Sequence, residues 1–329
     1  METGENLADI DPFLNAYLDA PETQLRDAIT SQRAALDASA SLSTTFRHSG
    51  WQHNRSLVLD ALVRTKQSTN RRDEFCQCGS HAYVLRNVDN PTEHRIAGSA
   101  CHDRFCLPCG QERSQAIALN VLEAISDKQV RFLTLTVRSQ DEPLTDLLDH
   151  LYVSFRKLRA TAFWKRRVSG GVALLEIKRN VSDNRWHPHF HCLVEGSFLP
   201  QQDLKRIWHR ITGDSWIVDI RLVRAAREAA QYVTKYACKP LHKSFLHQPA
   251  SLDEAVVALK GRKLCVTFGS WRGVTLARTI AEGAWENVGT LEGWIADAAH
   301  GDEHAATILA SLTDSNLPEL YARAPPKPE

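Results

Sequence analysis

Three histidines stand at alternate positions in NRWHPHFHCLVEG: His187, His189 and His191. In an extended chain alternate side chains share one face, so these imidazoles form a row. Neutral imidazole nitrogens bind divalent metal, and two of them leave coordination positions open for a carboxylate and for ligand oxygens. Glu176, on the strand expected just before, is the candidate carboxylate. A second chemical group lies downstream in REAAQYVTKYACK. There Glu228, Tyr232, Lys235, Tyr236 and Lys239 fall on one face of the expected helix. Two phenols, a carboxylate and two ammoniums suit the holding and attack of a phosphate. A tyrosine hydroxyl, with an ordinary pKa of roughly 10, needs a nearby cation or base to become a nucleophile.

A third group is built from cysteine: CQCG at 76–79 precedes CHDRFCLPCG at 101–110. Cys106 and Cys109 have the two-residue spacing that brings two thiolates to one tetrahedral ion. Cys101 and either Cys76 or Cys78 complete four sulfur ligands. With the sphere full, the expected Zn²⁺ is structural and does not catalyse. Cys192, Cys238 and Cys265 fall in expected strand or helix and are assigned to the core.

Periodicity supplies the elements that must position these groups. QERSQAIALNVLEAISDK (111–128) has helical spacing, and RFLTLTVRS (131–139) alternates as a strand. LTDLLDHLYVSFRKLRA (144–160) places Leu144, Leu147, Leu148, Leu151, Phe155 and Leu158 on one helical stripe. GVALLEIKR, the histidine segment, WIVDIRLV (216–223) and RKLCVTFGSW (262–271) read as further strands, with helices at LPQQDLKRIWHRIT and 224–239. No glycine-rich loop follows a strand to mark a dinucleotide fold. The expectation is an α+β fold, a sheet with helices on its faces. Towards the N-terminus, SLVLDALVRTK (56–66) suggests a short helix and DASASLSTTFRHSG a linker; near the C-terminus EHAATILASL is helical.

Hydrophobic residues make up 43% of the chain, enough for a real core, and no run of eighteen apolar residues would span a membrane. METGENLADIDPF lacks the basic-then-apolar pattern of a secretory signal, so a cytoplasmic, reducing location is expected. There eight cysteines read as metal ligands or core residues. The net charge of +1 hides a division along the chain. Residues 1–150 carry 15 Lys+Arg against 21 Asp+Glu, residues 151–272 carry 22 against 9, and residues 273–329 carry 3 against 9. A basic middle between acidic ends suits a phosphate-binding surface. FRKLRATAFWKRR (155–167) is the candidate strip; Phe155 is expected in the core, and Trp164 is open between core and stacking on unpaired bases.

Over about residues 76–270 the chain resembles the rolling-circle replication initiators of plasmids, within the HUH endonuclease superfamily. CHDRFCLPCG is similar to the family's cysteine segment, FLTLTV to its first strand, HPHFHCLVEG to its metal motif and YVTKYACK to its nucleophile motif. LKGRKLCVTFGSW resembles a closing strand. The resemblance implies an HUH core, an antiparallel sheet flanked by helices, preceded by a small zinc-binding subdomain. The expected division is an acidic, largely helical segment and linker at 1–70, the zinc subdomain at 71–127, the catalytic domain at 128–272 and an acidic, partly helical tail at 273–329.

The resemblance further implies that His189, His191 and Glu176 hold Mg²⁺ or Mn²⁺, with His187 outside the minimal pair. Tyr232 matches the attacking tyrosine, which forms a 5′-phosphotyrosine bond and frees a 3′-hydroxyl, and Lys235 belongs to the same motif. Glu228 fits the position from which single-tyrosine initiators activate water for termination. Tyr236 matches the second nucleophile of two-tyrosine initiators and transposases, and is taken as second after Tyr232. Single-stranded DNA, origin duplex DNA, a host helicase and replication proteins are the implied partners. Competing expectations are a two-tyrosine transposase and a zinc-dependent DNA-binding regulator that has lost activity.

Overall fold

The computed structural model describes residues 42–125, 128–180, 182–225, 228–229, 232–233, 242–274, 276 and 283–316. Helices α1 (Leu42–Arg47), α2 (Gln52–Arg64) and α3 (Thr69–Cys76) lead into strands β1 (Tyr83–Asn87) and β2 (His94–Ala97). Helix α4 (Leu107–Ile125) connects to β3 (Val130–Thr136), α5 (Leu144–Ala160), α6 (Ala162–Arg167), β4 (Val168–Arg179) and β5 (Trp186–Gly196). Then follow α7 (Gln201–Thr212), β6 (Val218–Leu222), α8 (Lys243–Leu246), α9 (Pro249–Ala258) and β7 (Cys265–Gly269). Strand β8 (Trp285–Thr290) and helices α10 (Leu291–Ala299) and α11 (Glu303–Asn316) complete the described chain. The fold is α+β, with antiparallel sheets flanked by helices. Among the described residues no helix is long and apolar enough to cross a membrane.

The main sheet runs β6-β3-β5-β4-β7, antiparallel throughout, with β5 at its centre. One face packs on α5, whose six-residue apolar stripe is wholly buried as its spacing predicts. Phe155 and Phe190 meet there with ring centroids 5.1 Å apart. Each such side chain contributes roughly 1.5–3 kcal/mol by leaving water. The amide of Leu144 at the start of α5 donates to Glu254 Oε1 at 2.7 Å, so a carboxylate from α9 satisfies one orphan donor and complements the helix dipole. Trp164 also lies in this layer, 3% exposed and 5.9 Å from Phe268, so it is core and not a platform for bases.

The opposite face divides along its length. Phe132, Val172, Leu174 and Leu193 pack under Ile117, Val121 and Ile125 of α4, and under Ala229, Tyr232 and Val233. Residues 228–229 and 232–233 are helical, and the spacing 229, 232, 233 puts three side chains on one apolar stripe. Beyond that cover the same face turns polar, with His191, His189 and Glu176. Pro188 sits within β5 without breaking it, because β3 pairs no further than Thr136 with His189. Past that point β5 has a free side, where the missing N–H costs nothing.

Two expected boundaries differ from the structure. Residues 42–47 form a helix and not a linker, and its Arg47, with the adjacent His48, lies against the cysteines. The expected C-terminal tail supplies β8, which pairs with β1 in a second sheet of order β2-β1-β8. Leu291, Ile308, Leu309 and Leu312 close a core with Ala82 and Val84. Acidic composition described the exposed side of this segment and concealed its apolar stripe. The residues before 42, and those beyond 316, lie outside the described chain.

Candidate functional site

Strand register assembles the first site. His189 and His191 project from the central strand on one face; Glu176 is the direct partner of His189 on β4, and Thr134 the partner of His191 on β3. Glu176 Oε2 lies 2.5 Å from His189 Nε2 and 2.9 Å from His191 Nε2, and all three side chains are buried. His189 Nδ1 donates to the carbonyl of His187 at 3.0 Å. That bond places the ring proton on Nδ1, so a neutral His189 aims a bare Nε2 lone pair at a carboxylate oxygen. Two electron-rich atoms at that separation need a cation between them, a proton or a metal ion. The three ligand atoms lie within 4.8 Å of one another and fit a divalent ion.

Electrostatics agree with this geometry. Burial works against the charge of Glu176, but hydrogen bonds with His189 and His191 and the neighbouring Lys178 hold its carboxyl well below the usual carboxylate range. Burial lowers His191 to about 4, which keeps the imidazole neutral and able to ligate at neutral pH. Lys178 Nζ stands 3.0 Å from Glu176 Oε2. Lys178 follows Glu176 by two residues on the same face, opposite His187. Lys178 and Thr134 were not among the expected site residues, although strict alternation along β4 and β3 carries the signal for each.

The Tyr232 hydroxyl lies 2.9 Å from His191 Nδ1, and its ring packs 4.1 Å from Phe132. The phenol is therefore joined to the Glu176–His189–His191 cluster through one imidazole, with its ring fixed in the apolar half of the sheet face. Glu228, one helical turn earlier, is exposed and accepts from the Arg224 amide at 3.2 Å. Lys235, Tyr236 and Lys239 lie outside the described residues. His187 enters through its main-chain carbonyl, which fixes the His189 tautomer.

A second cluster gathers Cys78, Cys101, Cys106 and Cys109. Their Sγ atoms are separated by 3.6 Å (Cys78–Cys109), 3.7 Å (Cys101–Cys109) and 3.8 Å (Cys78–Cys106). A Zn–S bond of about 2.3 Å gives tetrahedral sulfur edges of about 3.8 Å, so the four sulfurs fit zinc. Of the two open candidates Cys78 joins the cluster and Cys76 does not. Arg47 donates to Cys109 Sγ at 3.6 Å and pairs with Glu112 at 2.8 Å, and His48 Nε2 lies 3.6 Å from Cys106 Sγ. The Arg47 guanidinium would offset part of the negative charge that four thiolates bring around a dication. Cys192 is fully buried in the main sheet, as expected of a core residue.

Residues 94–278 match the protein family described as Replication protein. The chain is similar to "Protein rep" of Bacillus amyloliquefaciens, with 28% identity over 170 residues, 47% of this chain and 50% of that protein. A "Protein rep" of Staphylococcus aureus is 23% identical over 184 residues, 51% of this chain and 80% of that protein. A third, from Streptococcus pneumoniae serotype 2, is 26% identical over 236 residues, 58% of this chain and 74% of that protein. The chain spans about half the length of the first of these relatives. No solved structure matches it significantly. With more than half of its length matched, and with a histidine pair and a four-cysteine cluster fit for zinc, the chain belongs to the HUH-type Rep family of replication proteins.

Proposed function

We propose that the protein starts rolling-circle replication by nicking single-stranded origin DNA and later rejoining it. The observation that carries this reading is the 2.9 Å contact between the Tyr232 hydroxyl and His191 Nδ1, with His191 Nε2 facing Glu176. His189, His191 and Glu176 would hold Mg²⁺ or Mn²⁺, which when bound acts as a Lewis acid on a DNA phosphate. With Nε2 serving as a ligand, His191 would carry its proton on Nδ1 and donate to the Tyr232 oxygen. That bond orients the nucleophile and stabilises charge on the phenolate as it forms. The Tyr232 oxygen then bonds to phosphorus as its proton passes to solvent, the P–O3′ bond breaks, and the 3′-oxygen takes up a proton from solvent and leaves as a hydroxyl. The phosphotyrosine keeps the energy of the phosphodiester, so a 3′-hydroxyl can reverse the step without a nucleotide cofactor.

The four cysteines would bind Zn²⁺ and hold the amino-terminal turn of α4, whose later turns pack against Tyr232. Tyr236 is the proposed second nucleophile, with Glu228-activated water as the other route to termination. The test is incubation with Mn²⁺ and a random pool of 30-nucleotide single strands, followed by denaturation and detection of protein-linked DNA. Wild-type protein should carry 5′-linked DNA and Tyr232→Phe none. An undiminished adduct in the Phe variant would remove Tyr232 from the reaction.

A further inference from the structure

We propose that α5, α6 and the turn after β7 form a duplex-DNA phosphate site remote from the Tyr232 centre. The inference rests on the DNA-nicking reading and adds a second contact surface to it. No acidic residue occurs between Asp149 and Glu176, a stretch holding Arg156, Lys157, Arg159, Lys165, Arg166 and Arg167. Arg272, after β7, joins them in space: the Ser270 amide of its turn donates to the Ser169 carbonyl, two residues beyond Arg167, at 2.9 Å. Burial first, and the like charges of Arg272 and Arg156 with it, lower the Arg159 pKa. Among the described residues none of the seven has a carboxylate partner. Arg64, Arg71, Arg179 and Arg262, by contrast, are each paired, on Asp253, Asp103, Glu254 and Asp149.

Unpaired cations held at close quarters repel one another and are stabilised by an anion with several charges along its length. Arg159 is held for that use, its guanidinium lying 4.8 Å above Phe155 and 5.6 Å from Phe268. Phe155 and Trp164 are buried, and the half-buried Phe163 lies under the Arg167 guanidinium at 4.5 Å, so the strip presents mainly charge. Charge without stacking fits the regular phosphates of a duplex better than a single strand. Glu176 lies eight positions beyond Val168 on β4, about 26 Å of extended chain. A flanking duplex held at the strip therefore leaves the metal site free for the strand to be cut.

The test measures binding of a 30-base-pair random duplex at several salt concentrations without divalent metal, using the full chain. The exposed residues Lys157, Lys165, Arg166 and Arg272 are changed together to Gln. Each lost phosphate contact should lower the log–log salt slope by about 0.9, giving a fall of roughly 3–4. Single-strand adduct formation with Mn²⁺ should persist in this variant. An unchanged duplex slope overturns the proposal, as does a parallel loss of duplex binding and single-strand cleavage. If the quadruple variant fails to fold by circular dichroism, Lys165→Gln and Arg272→Gln singly should each lower the slope by about 0.9, and no change in either overturns it. Lys205→Gln with Arg210→Gln on α7 should leave the slope unaltered; an equal fall there also overturns a localised site. Failure of wild-type cleavage would count against the nicking reading alone, because duplex binding is read separately.

Discussion

Glu176 and His189 are direct partners across β4 and β5, and the histidine Nε2 stops 2.5 Å from the carboxylate oxygen. A strand pair fixes this approach through its backbone ladder, so the triad is pre-organised and does not depend on loop closure. Glu176→Gln keeps the shape and removes the charge. It is expected to weaken Mn²⁺ binding at least ~10-fold, read by electron paramagnetic resonance of free Mn²⁺, since even outer partners of metal ligands carry that much. Equal affinity in the variant would take Glu176 out of the ligand set.

Tyr232 contributes its ring and its hydroxyl separately. Tyr232→Phe loses the His191 hydrogen bond but keeps the packing on Phe132, so thermal or urea unfolding should show a loss of about 1 kcal/mol. Tyr232→Ala opens a cavity between Phe132 and α4, and a loss of roughly 3–5 kcal/mol is expected. If the two variants were equally stable, the ring would not be part of this core.

The cysteine cluster and the nucleophile share one helix. Cys109 lies in the first turn of α4, and Ile117, Val121 and Ile125 of the same helix pack with Tyr232. Cys109→Ser should release the bound zinc and raise amide exchange along residues 117–125 as well as around the cysteines. Faster exchange confined to the cysteine loops would show that α4 holds the sheet face without the ion.

Much of this arrangement was legible in the sequence because it follows local period. The α5 stripe, the alternation of β3 and β5, and the Cys106–Cys109 spacing are each readable within a few residues. What was hidden depends on pairing between distant segments. The β1–β8 ladder joins residues about two hundred positions apart, and nothing in WENVGT specifies its partner. The choice of Cys78 over Cys76 turns on where α3 ends, since Cys76 is the last residue of that helix and Cys78 lies beyond it. Lys178 was missed because its significance depends on the register that puts it beside Glu176 and opposite His187.

Lys178 gives the most specific test of how the ligand triad is loaded. Its ammonium shares Glu176 Oε2 with the two imidazoles, and the side chain is 41% exposed. A divalent ion held by Glu176 would repel the ammonium and turn it towards solvent, where it could meet a DNA phosphate. Without DNA, then, Lys178 competes with the ion. Lys178→Met should tighten Mn²⁺ binding to the DNA-free protein several-fold, read by the same resonance titration. The variant should also lose part of the gain in Mn²⁺ affinity that a single-stranded oligonucleotide confers on the wild type, because the released charge no longer reaches the phosphate. Weaker Mn²⁺ binding in Lys178→Met would mean that the ammonium supports the triad and does not compete for it.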